Sequence, residues 1–171
     1  MASRTAQFAA LIAAIGFWTI DAVPAAADSD QAALAAALNG ASATLQGGLK
    51  ASEREGTPIS AKFEIEDGNL QLSVYTMKGD SFTEVVADPN NGAIKEAETI
   101  QDADDIKEAT AQKAAMAKAK VPLLTATETA VNANAGFQAV SIYPQLLNGN
   151  PMAEVTLLQG TTFKKVMEKL D

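Results

Sequence analysis

The 171-residue chain contains no cysteine and no histidine. Without thiols it forms no disulfide, offers no cysteine nucleophile and has no residue for a cysteine-linked lipid anchor. The two absences together rule out Cys/His zinc sites and every His-based triad. Aromatic residues make up only 5% of the chain, and alanine supplies much of the 47% apolar content. The core is therefore expected to be modest and shared between small units. After residue 27 no apolar run approaches the roughly 20 residues that a membrane-spanning helix needs. Positive charge is also scarce: 13 Lys and Arg stand against 21 Asp and Glu, a formal net charge of -8. Such a chain is repelled by phosphate backbones and by anionic bilayers, so nucleic acid is not an expected partner. Basic peptides or cations suit the net charge better, and the charge also serves solubility.

The first 27 residues read as an export signal. Arg4 lies in a short leading region, an apolar stretch covers 8–20 (FAALIAAIGFWTI), and Pro24 precedes the small residues Ala25, Ala26 and Ala27. Thirteen apolar residues make a helix of about 20 Å, against roughly 30 Å of hydrocarbon. The reading is thus a signal cleaved near Ala27 rather than an anchor, with mature protein beginning near Asp28 in the periplasm or outside the cell. Cleavage removes Arg4 and Asp21 together and leaves the net charge unchanged.

Beyond the signal the chain alternates helical and strand patterns. Ser29 or Asp30 caps a short helix that Asn39-Gly40 closes, and Ser42 opens a second that stops at Gly56. Gly47-Gly48 weakens that second helix, which therefore needs tertiary support or a close neighbour. Residues 59–66 (ISAKFEIE) alternate strictly, placing Ile59, Ala61, Phe63 and Ile65 on one face. Asp67-Gly68 is a hairpin turn, 70–77 is the second strand, Lys78-Gly79-Asp80 the next turn and 81–88 the third strand. Ala93 to Lys95 can add an edge. An acidic stretch leads into a helix over 104–120, read as a solvated connector. Thr125 and Glu128 form a capping-box pattern for a third covering helix. Strands are expected over 137–143, 152–158 and 162–170, with a long turn through Asn148-Gly149-Asn150-Pro151.

The halves match at an offset of 81 residues. Val74, Met77, Gly79, Phe82, Val85 and Val86 correspond to Val155, Leu158, Gly160, Phe163, Val166 and Met167. Gly56 corresponds to Gly136 one residue out of step. The first half resembles a PepSY domain over residues 44–94, in its helix ending at a glycine, Asp-Gly turn, Val74-Tyr75, Phe82 before Val85-Val86, and Asp88-x-x-x-Gly92-x-Ile94. Asn91 stands where family members usually have threonine. The second half is degenerate, with Lys169 in place of Asp88. The resemblance implies an α+β fold of two small PepSY- or cystatin-like units. Each would be a helix on a three-stranded antiparallel sheet, with a helix joining the two. The division is 1–27 signal, 28–99 first unit, 100–122 linker helix and 123–171 second unit. It further implies a role in peptidase inhibition or regulation by binding. The matching positions Gly56, Gly68, Tyr75, Phe82, Asp88 and Gly92 are architectural, and no catalytic residue carries over.

Four candidate sites are weighed. Residues 88–92 (Asp88-Pro89-Asn90-Asn91-Gly92) are too short for an EF-hand loop and read as a turn. Asp102, Asp104, Asp105 and Glu108 read as the charge pattern of a helix N-terminus rather than a calcium site. Ser60-x-Lys62 is a minimal serine–lysine pair on the solvent face of a strand, with no oxyanion hole in view. Tyr75 and Met77 lie opposite Leu72 and Val74, under either the second repeat or the linker helix, or else exposed as a partner anchor. No catalytic, cofactor-binding or metal residue is assigned and no cofactor is expected. The expected function is an exported non-catalytic binding or regulatory protein with a cell-envelope partner, in the resemblance a peptidase. The alternative is a periplasmic carrier of a small apolar ligand, for which a pocket of about 300 Å³ or more lined by apolar side chains is the discriminating feature.

Overall fold

The computed structural model describes residues 25–171. The stretch read as a signal lies outside the described residues, apart from its last three, which open the first helix. The elements are α1 (Ala25–Leu38), α2 (Leu45–Ser52), β1 (Thr57–Glu66), β2 (Asn69–Lys78), β3 (Ser81–Ala87), β4 (Ile94–Thr99), α3 (Ala103–Met116), α4 (Leu123–Ala133), β5 (Gln138–Leu147), β6 (Asn150–Gln159) and β7 (Thr162–Lys169).

The expected pair of separate three-stranded sheets does not form. All seven strands make one antiparallel sheet in the order β4-β3-β2-β1-β5-β6-β7. The junction is short: β1 meets β5 through Ala61↔Ile142 and Lys62↔Ser141. A lone three-stranded unit leaves its first strand as an open edge with a row of unpaired amides and carbonyls. Pairing the two first strands closes both edges at once and merges the apolar faces into a single core.

That core lies between one sheet face and α1, α2 and α4. It joins Leu38, Leu45, Leu49, Phe63, Leu72 and Val74 to Leu123, Ile142, Val155 and Leu157 across the junction. Thr44 caps α2 by accepting the Gly47 amide at 3.0 Å. Gly48 then rests on the sheet so closely that an added Cβ would lie 2.5 Å from Leu72 Cδ2. The close neighbour expected at the glycine pair is therefore the Leu72 side chain. At α4 the capping-box expectation fails. Helix α4 starts at Leu123 behind Pro122, and Thr125 lies inside its first turn.

The repeat is geometrical as well as sequential. Strands β5, β6 and β7 begin 81 residues after β1, β2 and β3. The bulge between Pro58 and Ser60 recurs between Ala139 and Ser141. The turn residues Asp67 and Gly68 have φ of 50° and 77°, and Asn148 and Gly149 have 52° and 82°. Both turns are thus two-residue connections of the primed kind. The second is not the longer loop expected, because β6 resumes at Asn150. At the junction Ala61 pairs with Ile142, its own equivalent, so a local two-fold axis passes between them.

The other sheet face carries α3, which lies against β1, β5 and β6. Its buried positions are Asp105, Ala109, Gln112 and Ala115, a narrow stripe at helical spacing. Ala109 packs with Ile59, Tyr75 and Phe82, and Met116 reaches both clusters. The linker helix is therefore a packed third layer rather than a solvated connector. The β1 bulge also moves Ile59 to this face, away from Ala61 and Phe63, and breaks the strict alternation expected for the strand.

Phe63 is 5% exposed in the main core. Phe63→Ala should cost about 3–5 kcal/mol in chemical denaturation. A loss below ~1 kcal/mol would mean that Phe63 does not contribute as a buried core side chain.

Candidate functional site

Three places on the molecule have the chemistry to interact: the polar layer under α3, a cleft at one end of the sheet, and the sheet edges.

The polar layer comes from strand residues whose side chains look solvent-facing in the sequence but share the sheet face that carries α3. Lys62 pairs with Glu64 at 2.5 Å, and its Nζ stands 6.0 Å from the centre of the Tyr75 ring. Tyr75 is 1% exposed and donates its hydroxyl to Glu84 Oε1 at 2.9 Å. Gln71 Nε2 donates to Glu64, Glu66 and Ser73. Burial pushes the Tyr75 phenol well above its usual range, and Glu84 and Glu64 add to the effect. Tyr143 is raised the same way, by burial and then by Glu64, Glu108 and Glu154. Burial also raises the Glu84 carboxyl, against hydrogen bonds from Tyr75 and Ser73 that favour its charged form. Both phenols stay protonated at neutral pH. The layer thus holds a donor–acceptor network that ties β1, β2 and β3 together.

The sequence candidates resolve as follows. Tyr75 and Met77 lie under the linker helix. Ser60 is fully buried and its hydroxyl has no hydrogen-bond partner among the described residues, while Lys62 is engaged with Glu64. Asp102 caps α3, accepting the Asp104 and Asp105 amides at 2.9 and 3.2 Å. Among the described residues no group of three His, Cys, Asp or Glu is placed to hold a metal ion. Asp88 closes its turn by accepting the Asn90 amide at 2.7 Å and pairing with Lys95 at 2.9 Å. The Asn90 amide, then Lys95, holds the Asp88 carboxyl below the usual carboxylate range.

The cleft, of about 740 Å³, opens where α2 ends, the β2–β3 turn lies and α4 begins. Leu49, Met77, Met116 and Leu123 line it together with Glu53, Arg54, Glu55, Lys78 and Lys113. Lys113 is held by Asp80 at 2.7 Å and by the Gly79 carbonyl at 2.9 Å. The volume is ample for a ligand, but the cleft is half open and charged side chains share its lining with apolar ones, unlike the apolar enclosure that defines a hydrophobic carrier.

The sheet edges are the third place. Strand β4 pairs with β3 through Val85↔Ala97 and neighbouring positions. It therefore occupies the edge of β3, which would be open without it. Among the described residues the outer edges are those of β4 and β7. Strand β7, TFKKVMEK, turns alternate side chains to the two faces. Lys164 reaches the α4 side, at 2.5 Å from Asn134 Oδ1 and 5.9 Å from the Phe137 ring centre. Lys165 reaches the α3 side, at 2.7 Å from Glu154. Sequence reasoning missed this edge, because the order of strands in the joined sheet is a tertiary property.

No family model and no curated protein matches the chain. Among solved structures, the chain named "putative lipoprotein (CD1622)" from Clostridium difficile 630 is similar over 71% of this chain and 80% of that one. Its TM-score is 0.40 and its identity 12%, and at that level nothing about fold or function transfers.

Glu84 also faces Glu98 directly across the β3–β4 pair. Its folded-state proton affinity is raised. Its favourable contribution is therefore complete below the unfolded carboxyl range, near 4.3, and is lost as pH rises through the folded value. Glu84→Gln should stabilise the protein at pH 7 by about 0.5–1 kcal/mol, because burial, and then the Glu64 charge, disfavour the ionised carboxylate. The gain should vanish below about pH 4, where wild-type Glu84 is itself neutral. Denaturation curves at the two pH values measure it.

Proposed function

We propose that the chain is an exported, non-catalytic binding protein that engages a protein partner through the outer edge of β7. The supporting observation is the sheet edge itself: β7 is an outer strand of the seven-stranded sheet among the described residues. An extended peptide added to such an edge gains ladder hydrogen bonds from its own backbone. The PepSY resemblance makes the partner a cell-envelope peptidase whose activity the protein modulates. The carrier reading ranks second, because the cleft has the volume but is open to solvent and carries charged side chains among its apolar ones.

Two proline variants test the edge. Successive residues of a strand direct their amides to opposite sides, so Lys164→Pro and Lys165→Pro remove one outward donor and one bond to β6. Mature wild-type protein titrated into envelope peptidases should change the cleavage of a generic substrate saturably. The variant lacking the outward donor should fold with little loss of stability and lose that effect. No change in cleavage and no complex at high micromolar concentration would remove the peptidase partner. Hydrolytic activity of the protein itself, abolished by one substitution, would remove the non-catalytic reading.

Export is tested separately. Protein recovered from the cell-envelope fraction should begin at or near Asp28 on N-terminal sequencing. A membrane-embedded form retaining residues 8–20 would overturn release.

A further inference from the structure

The cleft at the end of α2 is a second place where the chain can hold another molecule, and it does not involve the β7 edge. We propose that it binds a small amphiphilic monoanion, an alkyl chain ending in a carboxylate.

The alkyl part follows from the apolar lining. Leu49 of α2, Met77 of β2, Met116 of α3 and Leu123 of α4 bring four elements to the cleft. Leu49 and Leu123 are 1% and 2% exposed in the main core, and Met116 packs against both clusters. The fold therefore sets this lining before any ligand arrives. Two methionines in it suit a flexible chain, because an unbranched thioether side chain adapts to the shape beside it. The volume of about 740 Å³ falls within the range of about 300–1,000 Å³ usual for small-molecule sites.

The head group follows from the charges. Arg54, Lys78 and Lys113 line the cleft against Glu53 and Glu55. Most of these are paired: Arg54 with Glu55 at 3.2 Å, Glu53 with Lys50 at 3.2 Å, and Lys113 with Asp80 at 2.7 Å. With the partners Lys50 and Asp80 included, four cations stand against three acids, in a chain whose net charge is -8. The cation left over is Lys78, exposed and without an ion pair among the described residues.

The start of α4 has the same sign. This helix opens at Pro122 without a side-chain cap, and Pro122, Leu123 and Leu124 all line the cleft. The first amides of a helix have no acceptor within it, and the helix dipole places partial positive charge there. One full and one partial positive charge match a carboxylate, and fall short of a dianion such as phosphate. A neutral apolar molecule gains nothing from either, and a cationic head group is repelled by both.

Octanoate, octanol and octylammonium present one chain with three head groups. Each is titrated into isotope-labelled mature protein, below the concentration at which it forms micelles. Octanoate should saturably shift the methyl resonances of Met77 and Met116 and the amides of Leu123 and Leu124. Octanol should bind about five- to tenfold more weakly, the combined scale of a helix-dipole contact and one exposed ion pair. Octylammonium should bind more weakly still. Lys78→Glu should bring octanoate down to the level of octanol or below it, with thermal unfolding confirming that the variant is folded. Equal binding of octanoate and octanol by the wild type, or a preference for octylammonium, would overturn the proposal. So would an octanoate advantage that survives Lys78→Glu in full. Shifts confined to residues outside the cleft, or no shift with any of the three at millimolar concentration, would remove the cleft as a binding site.

Discussion

The antiparallel contact between β1 and β5 organises the molecule. It involves few residues, yet it converts two meanders, each with an exposed first strand, into one sheet. Once it forms, α2 and α4 lie side by side over a shared apolar face, and the chain from β4 to α4 must cross to the opposite face. That crossing is α3, whose stripe of Ala109, Gln112 and Ala115 lets it lie close to the strands. The buried polar layer follows from this route. Lys62 and Glu64 would be ordinary surface residues on a two-layer unit, and are part-buried here on the sheet face against which α3 packs.

Much of the strand plan was legible in the sequence. Alternation, the Asp67-Gly68 and Asn148-Gly149 turns and the offset between halves carry local information, which pattern reading captures. The joining of the halves was not legible. Register between β1 and β5 depends on residues about 80 positions apart in the chain, and no local pattern distinguishes an edge left open from one paired at long range. The fate of α3 was hidden for a related reason. Its buried residues are mostly small or polar, so its inner stripe lacks the hydrophobic signature that marks a core helix. The Ile59 displacement was invisible because a bulge inserts one residue without changing the composition of the strand.

The candidate surfaces divide the same way. Asp88, Asp102 and the other acids near α3 have local explanations, as turn and cap, that short spacings in the sequence already support. The cleft and the β7 edge arise from tertiary placement. Strand β4 determines which edge remains available, and its six residues exceed the three expected from Ala93 to Lys95. Its pairing with β3 covers that edge and leaves β7 at the other end of the sheet.

The pair at the centre of the junction has a consequence of its own. In a dimer of identical units, a residue on the two-fold axis meets itself, so the packing there must suit two copies of one side chain. Here both positions are completely buried, but one is Ala61 and the other Ile142. A small and a large side chain face each other where symmetry would demand two alanines, which leave a void, or two isoleucines, which crowd. Covalent linkage of the halves releases the centre of the sheet from that demand. The volume can then be divided unequally, and the two halves become non-interchangeable parts of one molecule.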